Sequence, residues 1–165
     1  MKQLLLIFGV MMMWPALMAQ HVQIDGRLQP LLQEFRMLRD EYQIDTHDKL
    51  FALTSIDIVN TLTVAESGST LGMLKRNEAG IVVGIEINWM AQLDPEKLRI
   101  VAFHEFAHYF LEYEKHICED CGRIMSVVNS SYFDIVRDWD RQVRILFEQS
   151  PAYLKKQGTL TIPMQ

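Results

Sequence analysis

Apolar residues at Leu28, Leu31, Leu32, Phe35, Leu38 and Tyr42 recur at the three-and-four spacing of a helix with one buried stripe, and Arg36, Arg39, Asp40 and Glu41 fill its outer face. Pro30 suits the first turn of such a helix. The pattern then changes. From Lys49 to Val64 the β-branched and aromatic residues Phe51, Thr54, Ile56, Ile58, Val59, Thr61, Thr63 and Val64 dominate, which predicts one strand or two with Asn60 as the interruption. Glu66 to Ser69 reads as a turn and Thr70 to Lys75 as a short strand. A loop from Arg76 to Gly80 then leads into a strand over Ile81 to Ile87. Gly72 and Gly84 weaken these strands and mark a bulge or a close backbone approach. A strand exposed at the rim of a cleft would offer its edge to an extended peptide; an ordinary hairpin accounts for the pattern equally well.

Asn88, Trp89 and Met90 read as a short helical turn, after which Asp94 supplies an N-cap and Pro95 a first helical residue. In the helix that follows, Phe103, Phe106, Phe110 and Tyr113 form one apolar stripe, widened by Ile100, Ala107 and Leu111. His104 and His108 fall on a neighbouring side, with Glu105 further round. A helix this apolar is buried over much of its surface, so two imidazoles and a carboxyl are drawn inward. That costs several kcal/mol if uncompensated, and a metal ion compensates it readily. A last amphipathic run, Tyr132 to Phe147, carries Phe133, Val136, Trp139 or Asp140, Val143 and Phe147 at helical spacing and ends at Ser150-Pro151. The elements together predict an α+β fold. A short mixed β-sheet would pack on the helix bearing His104, with an N-terminal helix and a C-terminal helix completing it.

Composition narrows the setting. The 165 residues, 49% apolar and 22% charged, suit one compact domain with a core that needs no cross-links. The net charge of −5 and the lack of a basic cluster interleaved with aromatics argue against nucleic acid as a partner. Lys2, the apolar run Leu4 to Trp14 and small Ala19 before Gln20 read as a cleaved leader over residues 1–19, followed by a single domain over 20–165. The apolar core of the leader falls short of the ~20 residues that span a bilayer, and no stable membrane span is expected after cleavage. The protein is therefore expected to be secreted or periplasmic. There Cys118 and Cys121, the only cysteines, could close a local disulfide; a redox pair and half of a zinc knuckle are the other readings of C-x-x-C.

His104-Glu105-Phe106-Ala107-His108 is an H-E-x-x-H. On a helix its two histidines lie on one face within reach of a single ion, and the glutamate leans toward the water that the ion activates. Three fixed residues arise by accident in a chain this long on the order of once in a hundred. Catalytic Zn2+ takes three protein ligands and leaves a position for water. The third ligand must come from outside these turns: His116, or one of the carboxylates Glu112, Glu114, Glu119, Asp120, Asp134 and Asp138.

With His116 downstream and Ile124-Met125-Ser126 beyond it, the chain resembles the metzincin clan of zinc peptidases, most closely small secreted metallopeptidase-like proteins of Bacteroidetes. A strand and tryptophan before the helix, here Ile85 to Trp89, belong to the same resemblance, which covers roughly Gly80 to Ser126. It implies that His104, His108 and His116 bind zinc, that Glu105 is the general base, and that Met125 forms a Met-turn under the metal. Metzincins place glycine and histidine three and six residues after the second zinc histidine. Leu111 and Glu114 stand there, so the helix is expected to run a turn longer. Tyr109 and Tyr132 are read as packing or surface residues rather than oxyanion donors. The expected function is hydrolysis of a peptide or protein substrate by zinc-activated water with Glu105 as base. The alternative is a non-catalytic extracellular module that keeps zinc for stability.

Overall fold

The computed structural model describes residues 21–62, 64–65, 68–128 and 132–158. The leader expected over 1–19 lies outside them. Among the described residues the fold is α+β, with a small mixed four-stranded sheet and six α-helices. The sheet has the order β1 (Gln23–Ile24), β2 (Ser55–Val59), β6 (Val82–Asn88), β5 (Gly72–Arg76). The first three run parallel, and β5 pairs antiparallel with β6 as the edge strand. β3 (Val64–Ala65) and β4 (Gly68–Ser69) form a separate two-stranded ribbon.

Helix α1 (Gln29–Glu41) buries the stripe its spacing predicts, and Phe35 is its centre. The Phe35 ring meets Phe103 edge-on at 5.3 Å, Phe106 at 5.5 Å and Phe147 at 5.1 Å between centroids, which joins α1 to the long helix α3 (Pro95–Phe110) and to α5 (Trp139–Glu148). Each such pair contributes roughly 0.5–1.5 kcal/mol beyond its buried area. On the sheet side Ile56, Ile85 and Ile87 are fully buried in the same core. A 3₁₀ turn, Trp89–Leu93, links β6 to α3. Its entry is fixed by buried Asn88, whose amide donates to the Thr70 carbonyl and whose side-chain oxygen accepts from the Met90 N–H.

Four expectations need correction. Lys49 to Ala52 are not strand: α2 (His47–Ala52) occupies them, and β2 begins only at Ser55, where the β-branched residues become dense. The C-terminal run is not one helix but α4 (Tyr132–Arg137) and α5, separated by Asp138 at φ −117°, ψ 35°. Ser150-Pro151 does not only end a helix; Ser150 caps α6 (Pro151–Lys156), accepting from the Tyr153 N–H. Lastly, α3 does not run a turn longer. It stops at Phe110 because Glu112 turns left-handed, φ 65°, and the Leu111 and Tyr113 N–H groups both close on the Ala107 carbonyl. The Glu112 carboxylate holds this turn between Lys49 at 2.7 Å and Lys155 at 2.5 Å.

Candidate metal centre

Asp94 sets the start of α3 as its sequence promises: one carboxylate oxygen accepts from the Glu96 and Lys97 N–H groups, and the other from the Tyr132 hydroxyl. One face of the helix then presents Lys97, Ile100, Val101, His104, Glu105 and His108 to an open cleft of about 860 Å³. The opposite wall comes from residues 69–74, leading into and along β5, and a third side from Ser126, Val127, Val128 and Tyr132.

After the left-handed turn at Glu112 the chain passes through Tyr113 and returns His116 to the helix. Its Nε2 lies 3.1 Å from Nε2 of His104 and 3.4 Å from Nε2 of His108, and the last two are 3.1 Å apart. The loop is zipped to itself by Ile117 N–H to the Met125 carbonyl, Val127 N–H to the Cys118 carbonyl and Val128 N–H to the Glu119 carbonyl. Cys118 and Cys121 are joined in a disulfide within it. Of the three readings of C-x-x-C, the local clip is the one the fold contains.

The remaining ring nitrogens explain the convergence. Nδ1 of His104 lies 2.7 Å from the Ile124 carbonyl and Nδ1 of His108 lies 2.5 Å from the Tyr113 carbonyl, and a carbonyl can only accept. Both rings therefore carry their proton on Nδ1 and turn the Nε2 lone pair inward, toward His116. The lone pairs of His104 and His108 thus face one another across 3.1 Å, with His116 Nε2 at 3.1 and 3.4 Å from them, and a cation among the three nitrogens would relieve that repulsion. Tetrahedral ligands at about 2.0–2.1 Å from a metal are themselves roughly 3.3 Å apart, so this donor set fits such an ion. Burial also pushes the His104 pKa down to about 4 and lowers that of His108, which keeps both in the neutral form that ligates. Burial pushes Glu105, 6% exposed, up to about 8; a neighbouring cation favours its charged form.

Among the described residues the group able to hold a metal consists of His104, His108 and His116. None of the carboxylates considered from sequence joins it. Glu112 is bound to its two lysines, Asp134 and Asp138 pair with Arg137 and Arg141, and Glu114, Glu119 and Asp120 lie exposed on the loop. Met125 is 1% exposed in the core, next to the residue whose carbonyl orients His104. Tyr109 donates its hydroxyl to the Lys49 carbonyl, away from the cleft, while Tyr132 lines it with its hydroxyl committed to Asp94.

Three features escaped the sequence. The first is the pair of orienting carbonyls, Tyr113 and Ile124, which no side-chain pattern announces. The second is Gly72, where a Cβ would stand 2.5 Å from Cγ and Oε1 of Glu105. Its glycine signalled a close approach but not to which residue. The third is Lys97, seven residues before His104, which helical spacing puts on the same face as the two histidines, a signal that went unread. Comparison with family models, curated proteins and solved structures finds no match for this chain.

Proposed function

We propose that this chain is a zinc-dependent peptidase of the metzincin-like type that acts outside the cytoplasm. The observation that carries this reading is the convergence of the His104, His108 and His116 Nε2 atoms, two of them locked by Nδ1 bonds to carbonyls, beside a buried Glu105 in an open cleft. Those three imidazoles would hold the zinc, which when bound acidifies water toward neutral pH and polarises a substrate carbonyl. Glu105 is the base that takes a proton from the attacking water and passes it to the leaving amine. Gly72 leaves room for its carboxyl. β5 has a strand partner, β6, on one side only among the described residues, so its other edge is available to hold an extended peptide by main-chain hydrogen bonds.

The finer architecture belongs to the same reading: the mixed sheet packs on the active-site helix, α1 and the C-terminal helices back it, and Met125 forms part of the apolar floor. The leader expected over 1–19 and the Cys118–Cys121 disulfide support export. The test compares the chain from residue 20 onward, loaded with one equivalent of zinc, against its Glu105→Gln variant on a peptide library read by mass spectrometry. Cleavage should fall by about 10²–10⁴-fold in the variant while zinc content stays the same. Equal cleavage by the two proteins would remove Glu105 from the reaction.

A further inference from the structure

We infer that the cleft selects peptides bearing a carboxylate side chain within three residues of the bond that lies over the histidines, and that Lys97 reads it. This deepens the peptidase reading and rests on it for the identity of that bond. Among the described residues Lys97 is the only lysine or arginine lining the cleft. Its ammonium lies 5.3 Å from the centroid of the Tyr132 ring, and among the described residues no carboxylate comes within ion-pairing distance of it. Asp94 attracts it through space but has its oxygens committed to two backbone N–H groups and the Tyr132 hydroxyl. Among the described residues a cation with no carboxylate ion pair thus stands in a cleft whose lining includes the apolar Ile100, Val101, Val127 and Val128. Apolar side chains beside a charge lower the local dielectric relative to bulk water and so strengthen a pairing made there.

Helix geometry fixes the distance. Seven residues separate Lys97 from His104, which places the two within about 20° on the helix and about 10 Å apart along its axis. An extended peptide advances about 3.3 Å per residue, so with a carbonyl at the histidines a side chain no more than about three residues away falls beside Lys97. A carboxylate there gains a charge-assisted hydrogen bond, a neutral amide gains less, and a cationic side chain meets like charge.

The experiment uses fluorescein-labelled peptide pools with blocked ends, in which small and apolar residues are randomised around a central Glu, Gln or Lys. Binding is measured to the zinc-loaded Glu105→Gln chain, so that the probes survive. The Glu pool should bind about tenfold tighter than the Gln pool. Lys97→Leu should erase that ratio, Lys97→Arg should keep it, and Lys97→Glu should shift preference to the Lys pool, each variant first checked for an unchanged melting temperature. Equal binding of the Glu and Gln pools, binding of neither, or a preference that survives Lys97→Leu would overturn the inference. Cleavage of the same pools by the unsubstituted zinc-loaded chain separates the two ideas. Cleavage without charge preference overturns the role of Lys97 and leaves the peptidase standing; charge-selective binding without cleavage does the reverse.

Discussion

Glu105 and Gly72 are a pair at the scale of single residues, although one lies on the helix and the other on the edge strand. A methyl group at position 72 cannot coexist with the Glu105 carboxyl where it now lies, since the Cβ would sit 2.5 Å from Cγ and Oε1. Either the carboxyl swings aside or the strand withdraws. The three atoms nearest that methyl all belong to Glu105, and the carbonyls that hold His104 and His108 come from Ile124 and Tyr113, outside β5. Gly72→Ala is therefore expected to lower peptide cleavage on the order of 10²-fold, the usual cost of misplacing a reacting group by about an ångström. Zinc affinity, measured by calorimetric titration, should stay within a few-fold of the parent. Loss of zinc binding in parallel with cleavage would mean that the glycine supports the whole site rather than Glu105.

Among the elements, α3 was the most legible. Its cap, its first proline, its apolar stripe and the face that bears His104 and His108 were all present in the residue order, because local chemistry and helical period agree along its length. Asp94→Ala should cost about 1–2 kcal/mol in chemical denaturation, since it removes an N-cap and strands the Tyr132 hydroxyl; Asp94→Asn should recover much of this loss. The end of the same helix was not legible. Glu112 adopts a conformation that glycine favours, and its sequence neighbours give no hint of it. What stabilises the turn is remote: Lys49 on α2 and Lys155 on α6, together with the Ala152 N–H bonded to the Leu111 carbonyl. β1 was missed because two residues carry too little pattern to register, and α2 because Phe51 looked like a strand residue while it packs on His47 one helical turn earlier. The candidate site followed the same division: the helix ligands were readable, His116 was one candidate among several, and the carbonyls that orient the rings had no sequence signal at all.

For the molecule as a whole, Glu112 is where three distant segments meet, and its titration reports on that junction. Hydrogen bonds from Lys155 and Lys49 hold its pKa below the ordinary carboxylate value. A depressed folded-state value means that the stabilisation is fully present above the unfolded pKa of about 4.3 and is lost as pH falls through the folded one. Because the group is one-third exposed and solvent screens it, the contribution is held to less than about 1 kcal/mol. Thermal unfolding followed from pH 7 downward should show Glu112→Gln less stable than the parent at pH 7, with the gap narrowing as pH falls through the carboxylate range. A gap that does not narrow would assign the effect to packing instead of charge.

The two carbonyls that fix His104 and His108 come from Ile124 and Tyr113, near the two ends of the return loop that carries His116. Docking that loop is therefore a single event with three results: it delivers one imidazole and sets the tautomer of the other two. The three imidazoles are ordered by folding itself, so an ion that bound there would meet a preorganised triad rather than having to assemble one. A half-built centre, with the helix pair aimed and the third ligand loose, has no place in such a scheme, because the residues that aim the pair flank the residue that completes it.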